Sequence, residues 1–245
     1  MKKIKKLLPL LFAAVFCSCA SLPDKGYQPK EHALYLSDAQ LKDRKFVPAP
    51  VSGSETDKAD LAVLRVWQEK RTPEQCTRAA AEAKALFSDL FGDSNPFIKP
   101  LPAEVEAFFT QVHSDSDAAV GVLKKHNKRK RPFLRDSSLN PCLGRIGGLA
   151  YPSGHAVISR VDALILSELV PKRQSEFLAK ADEAALYRVI GGVHHPSDIE
   201  AGKKFGDILY ADFMLNPAFR AEMKKISAYI DMNNISNTNY QVYAP

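Results

Sequence analysis

The chain has 245 residues, 45% hydrophobic and 25% charged, with 12 Gly and 16 Pro. This composition excludes a disordered or collagen-like chain and leaves enough length to bury a real core. The formal net charge of +6 overstates the basic character, because Lys2, Lys3, Lys5 and Lys6 supply four of the 34 basic residues in a leader without acids; beyond it, 30 face 28 acidic residues. A nearly neutral body gives no electrostatic case for nucleic acid as a partner.

In chain order, the basic start and the apolar run from Leu7 to Cys17 read as a secretory signal over residues 1–20, too short to cross a bilayer as a helix. Ser18 and Ala20 suit cleavage after Ala20. Cys19 is alternatively similar to the lipidated cysteine of a bacterial lipoprotein, which would anchor the chain to a membrane, although Phe16 matches that pattern poorly. No later run reaches ~18 apolar residues. Residues 21–55 hold Pro23, Pro29, Pro48, Pro50, Gly26 and Gly53 and read as an extended tether or wrapping segment.

From Asp57 the pattern turns helical. Leu61, Leu64 and Trp67 make one apolar face through Lys70. Thr72-Pro73-Glu74-Gln75 has the form of a capping box and starts a second helix, expected to run to Phe91. A third begins near Pro102, carries Val105, Phe108, Phe109 and Val112, and continues to His126. A loop over 132–152 precedes a helix from Ser153 that ends before Pro171, and another covers Gln174 to Ile190. Ser197-Asp198-Ile199-Glu200 is again a capping-box pattern, opening a helix that ends near Asn216. Asn216-Pro217 caps the last helix, through Ile230, and a polar tail over 233–245 follows. Strand signals are nearly absent, so residues 56–232 read as one all-α domain. In an exported chain Cys76 and Cys142 could form a disulfide or remain two thiols, and sequence leaves both open.

Three islands carry chemistry. Lys124 and Arg131 lie seven apart, two helical turns on one face, with Pro132 stopping the helix and projecting Arg131 from its end. Fixed cations of this kind hold a phosphate. The neighbouring Lys125, Lys128, Arg129 and Lys130 read as a solvated basic face, or alternatively as a polyanion-binding patch. Pro152-Ser153-Gly154-His155 places a hydroxyl, a glycine and an imidazole at a helix start, where backbone amides favour an anion. Arg188 precedes a Gly191-Gly192-Val193 turn with His194, and Asp198 stands in the next helix. A carboxylate accepting one imidazole N–H leaves the other nitrogen able to attack. A metal site of His155, His194, His195 and Asp198 is disfavoured, since Lys124, Arg131 and Arg188 would repel the ion and Pro196 keeps the adjacent histidines off a regular helix. His195 reads as a surface or pocket-rim residue.

Lys124-x6-Arg131-Pro132, Pro152-Ser153-Gly154-His155 and Arg188-x5-His194-x3-Asp198, in this order and with these gaps, resemble the three-part signature of the type-2 phosphatidic acid phosphatase superfamily. The text around them is similar to that of bacterial class A nonspecific acid phosphatases, most strongly over 124–207. The resemblance implies an all-α bundle shared with vanadium haloperoxidases and metal-independent hydrolysis of small phosphomonoesters without a cofactor. In it His194 is the nucleophile that forms a phosphohistidine, Asp198 its orienting partner and His155 the acid, then the base; Lys124, Arg131, Ser153, Gly154 and Arg188 bind phosphoryl oxygens. It also implies the periplasm of a Gram-negative bacterium, with soluble or lipid-anchored form and homo-oligomer left open. Tyr187 stands where the family usually has Ser, and His195 where its class A members commonly have Trp. Three alternatives remain at this stage: an envelope lipid- or sugar-phosphate phosphatase, a vanadate-dependent haloperoxidase, and a non-enzymatic polyanion-binding lipoprotein. The mechanism further requires the two imidazole pKa values to be pushed apart, giving an optimum on the acid side of neutral.

Overall fold

A computed structural model describes residues 33–42 and 44–232; the signal segment with Cys19 and the tail over 233–245 lie outside the described residues. Nine α-helices make up the described part: α1 (Asp38–Lys42), α2 (Glu55–Lys70), α3 (Pro73–Ala81), α4 (Phe87–Phe91), α5 (Ala103–Asn127), α6 (Gly154–Leu169), α7 (Gln174–Ile190), α8 (Pro196–Leu215) and α9 (Pro217–Ile226). Among the described residues there is no strand, and the one isolated bridge joins Phe97 to Ile230.

Helix α6 is the axis of the bundle, packed along α7 on one side and α8 on the other. Its Val157, Val161, Ile165 and Leu166 are buried at the expected helical spacing. Two glycines let α8 come close: a Cβ on Gly202 would meet the Ser153 carbonyl oxygen at 2.8 Å and Ala156 Cβ at 2.7 Å, and one on Gly206 would meet Arg160 Cβ at 2.8 Å. The aromatic part of the core gathers Phe87, Phe97, Phe108, Phe109, Phe213 and Phe219, with Tyr35 from the N-terminal segment packed on Phe219.

Several starts and stops follow the sequence reading. Thr72 and Gln75 form the reciprocal capping box at α3, and Asn216 caps α9 by accepting from the amides of Ala218 and Phe219. Others depart from it. The helix from Pro73 does not reach Phe91: it ends at Ala81, and the chain turns through Ala85 at φ +53° before α4. The cap of α8 is His195 rather than Ser197, with Asp198 at the third helical position closing the box. The last helix stops at Ile226 and passes through a 3-10 turn, Ser227–Tyr229, because the Ile98 amide takes the Tyr229 carbonyl and the Asp231 amide that of Pro96. Cys76 on α3 and Cys142 in the long loop form a disulfide, Cα to Cα 5.9 Å. It ties the loop before α6 to the helix beside α7.

Candidate active site

The three islands converge at one end of α6. Helix α5 ends at Asn127, and Lys128 turns the chain in the left-handed region at φ +50°. Arg131 is therefore not on the helix of Lys124, as the seven-residue spacing predicts; it stands in extended backbone beyond that turn. Side chains alternate there, so Lys128 and Lys130 face water while Arg129 and Arg131 are both buried. Arg129 thus leaves the solvated face assigned to it. Lys124, Arg131, Arg188, His155 and Asp198 still lie within electrostatic reach of one another.

Ser153 caps α6, its hydroxyl accepting from the Ala156 amide. The amide of Ser153 donates to the Asp198 carbonyl at 3.0 Å, which joins the starts of α6 and α8. A side chain at Gly154 would point toward Asp117 and Val120 of α5, both at 3.7 Å. The ring of His155 is bonded by the backbone of Glu82 and Ala83, with Nε2 3.0 Å from the Glu82 carbonyl. Glu82 is the residue that caps the end of α3, and its carbonyl also accepts from the Ala85 amide at 3.0 Å.

At the end of α7, the Arg188 carbonyl accepts from the amides of Val193 and His194 at 3.1 and 3.3 Å, curling the turn back on the helix. Gly192 makes this turn at φ +79°, and a Cβ there would lie 2.9 Å from Pro141 Cα. The Arg188 side chain lies beneath, Nη1 donating to the Ala79 carbonyl at 3.4 Å. Tyr187 is half-buried on the same turn, and the structure gives it no contact with the island cations.

His194 is 2% exposed, with a charged neighbour at each ring nitrogen. Its Nδ1 lies 3.4 Å from Asp198 Oδ2, and its Nε2 lies 2.7 Å from Arg131 Nη1. Arg131 also donates to the Val193 and Gly147 carbonyls at 3.0 and 3.2 Å. Asp198 Oδ2 is shared: the His195 amide and His195 Nδ1 each approach it at 2.8 Å. Oδ1 accepts from Arg129 at 2.6 Å. His195 is thus fully buried on the orienting carboxylate, not a rim residue. Its neighbour Pro196 opens α8.

Electrostatics follow from burial of many like charges. Burial, with Arg131 beside it, lowers Lys124 to about 8, and burial lowers Arg131 and Arg188 each to about 10. Burial and then Arg131 push His194 well below the ordinary imidazole value against the pull of Asp198. Burial would raise the Asp198 carboxyl, but the rings of His194 and His195 beside it outweigh that and hold the group well below the usual range. His155 is also pushed well below its ordinary value, by burial and then by Arg188. The two imidazoles are thus shifted the same way, not apart. Burial, reinforced by the neighbouring cations, favours the neutral form of both.

The site thus sets a cluster of cations and a buried His–Asp pair at the start of the long buried helix of an all-helical bundle. A family model described as the PAP2 superfamily matches residues 111–210. The matched stretch holds all three islands and covers about two fifths of the chain. It is similar to a non-specific acid phosphatase of Providencia stuartii, 29% identical over 242 residues that cover 91% of this chain and 96% of that protein. It is also similar to a non-specific acid phosphatase of Salmonella typhi, 35% identical over 124 residues, 48% of this chain and 49% of that one. The crystal structure of a bacterial vanadium-dependent iodoperoxidase shares the fold, with a TM-score of 0.56 at 20% identity over 79% of this chain and 60% of that chain.

Proposed function

We propose that the protein is an acid phosphatase that hydrolyses phosphate monoesters through a phosphohistidine on His194, without a metal. The observation that carries this is the convergence at His194: Asp198 at one nitrogen, the Arg131 guanidinium at the other, with Lys124 and Arg188 close by. Neutral at working pH, His194 is oriented with Nδ1–H toward Asp198 and the Nε2 lone pair toward the point the cations surround. At rest the Nε2 lone pair accepts from Arg131; once that guanidinium passes to the phosphoryl oxygens, Nε2 attacks phosphorus in line and the bond to the ester oxygen breaks. His155 gives that oxygen its proton, and the alcohol leaves. His155 then takes a proton from water, whose oxygen displaces His194 and yields orthophosphate. Lys124, Arg131, Arg188, the Ser153 hydroxyl and the Gly154 amide stabilise the equatorial oxygens.

Two features support the assignment of His155 as the acid only when substrate is bound. Its ring is neutral first because it is buried and then because Arg188 is near, and a phosphate dianion would offset that second contribution. The donor set also argues against a metal, because three cations face the space where an ion would sit and both oxygens of Asp198 already accept hydrogen bonds. Broad specificity is part of the proposal, and small aryl, sugar and lipid phosphates belong in one assay.

The test is turnover of this panel across pH. Wild type should hydrolyse an aryl phosphate in chelator, be inhibited by vanadate, and lose turnover on His194→Ala. Efficiency kcat/KM should fall as pH rises through about 8, where Lys124 of the free enzyme gives up its proton. Substantial turnover by His194→Ala, or activity lost in chelator and restored by zinc, would refute the mechanism. A strong preference for the lipid phosphate would replace the broad reading by a lipid-directed one.

A further inference from the structure

Two side chains outside the proposed reaction meet the orienting carboxylate. Arg129 Nη1 donates to Asp198 Oδ1 at 2.6 Å and to Ser197 Oγ at 2.7 Å. Its Nη2 donates to Asp60 Oδ2 at 2.8 Å and Asp57 Oδ1 at 3.1 Å. Asp60 also accepts from the Ser197 amide at 3.0 Å, and Arg135 grips Asp57. Arg129, Asp57, Asp60 and Asp198 are each 5% exposed or less. Burying a guanidinium among three carboxylates costs several kcal/mol per ion unless geometry is close to ideal, so apolar packing would hold α2 against α8 at lower cost. What a planar fork adds is direction.

Direction is what Asp198 needs. A carboxylate held at one oxygen can rotate about its Cβ–Cγ bond, and rotation moves Oδ2 away from His194. Here Arg129 fixes Oδ1 while the amide and ring of His195 fix Oδ2. Arg131, two residues from Arg129 on the same buried side of the extended segment, reaches the far nitrogen of His194. One segment therefore grips the His–Asp pair at both ends.

We propose that Arg129, anchored by Asp57 and Asp60 of α2, is a positioning residue of the reaction, fixing Asp198 together with His195 so that His194 keeps Nε2 available for attack. This rests on the phosphatase reading above. Lysine at 129 keeps the charge but cannot bridge Asp198 and the α2 carboxylates. Alanine removes the fork and leaves a hole beside a surface cleft of about 690 Å³ that Arg129 lines with Lys128, Lys130 and Pro50. A guanidinium ion can enter from there.

The experiment compares wild type, Arg129→Lys, Arg129→Ala and Asp60→Asn for kcat, KM and melting temperature, with and without tens of millimolar guanidinium. Outer partners of this kind are worth ~10–100-fold. The expected result is a fall in kcat of that size with KM changed about twofold or less, and recovery of Arg129→Ala by guanidinium but not by ammonium. A folded Arg129→Lys with wild-type kcat would overturn the proposal, as would loss of kcat in Arg129→Ala that guanidinium leaves unchanged. Should Arg129→Ala not fold, Arg129→Lys and Asp60→Asn decide by the kcat-against-KM split. Nitrogen-15 histidine spectra give a readout without turnover: the imidazole N–H resonances of His194 and His195 should move in Arg129→Lys, and unchanged resonances count against it. An inactive wild type would instead refute the phosphatase reading.

Discussion

Gly202→Ala tests whether the close approach of α6 and α8 sets the site. The new Cβ would stand 2.8 Å from the Ser153 carbonyl oxygen and 2.7 Å from Ala156 Cβ. Because one neighbour is backbone, the helices must part by roughly half an ångström or more to reach ordinary contact. Overpacking costs ~1–3 kcal/mol and the better helix propensity of Ala returns about 1, leaving a net loss of roughly 0–2 kcal/mol. In a domain this size that is a few degrees of melting temperature, about 2–4 °C per kcal/mol. Activity should suffer more. The displaced point is where the Ser153 amide meets the Asp198 carbonyl, so the helix-start donors move against the His194–Asp198 pair. A misplacement near 1 Å costs about a hundredfold, so a loss of tenfold or more in kcat/KM is expected. Gly206→Ala, one turn further along, meets mainly the Arg160 side chain at 2.8 and 2.9 Å and the Val157 carbonyl at 3.1 Å. It should lower the melting temperature while leaving kcat/KM within about threefold. Aryl phosphate kinetics and thermal melts of both variants decide the matter. Wild-type efficiency in Gly202→Ala, or equal losses in the two variants, would refute the argument that this crossing positions the site.

The depressed pKa of His194 makes acid destabilise the fold. Below about pH 6.5 the unfolded chain binds a proton there that the folded one does not, so stability is full above that pH and falls by up to ~1.4 kcal/mol per unit below it. Denaturant unfolding of wild type and His194→Ala between pH 5 and 7 should show the smaller slope in the variant, and equal slopes would exclude this origin. The Cys76–Cys142 disulfide spans 66 residues of chain. Loop-closure entropy puts its stabilisation at no more than about 4 kcal/mol. Reductant should lower the melting temperature of wild type but not of a Cys76→Ser, Cys142→Ser double variant. Turnover should fall with it, because the tethered loop carries the Gly147 carbonyl that Arg131 uses and the Leu143 amide that bonds Gly191. A reductant-insensitive wild type would show that the loop is held by other contacts.

Much of this protein could be read from its sequence, because the signals involved are local. Apolar spacing fixed the long helices, with Gln174–Ile190 matching to the residue, and a capping residue with proline at the first position marked the starts of α3 and α9. The order and gaps of the three islands named the residues that the fold then gathers around His194. Local rules failed where a long-range partner competed. The Ser197 box looked sound, but Asp60 of α2 takes the Ser197 amide, and the cap passes to His195. The helix predicted to reach Phe91 breaks at Glu82, where a carbonyl is bonded by His155 from α6.

Arg129 shows the same division most clearly. The helical period sets Lys124 and Arg131 on one face and leaves Arg129 to solvent. The turn at Lys128 replaces that period by alternation, which buries Arg129 and Arg131 side by side. No local pattern could show this, since six cations within the eight residues from Lys124 to Arg131 suit either period. The sequence alone singled out the candidate groups, three islands of cations, histidines and a carboxylate. Tertiary structure decided which cations are buried, and therefore which imidazoles are neutral, because burial and charge pairing depend on residues brought from α2, α5 and α8 across more than a hundred positions of chain.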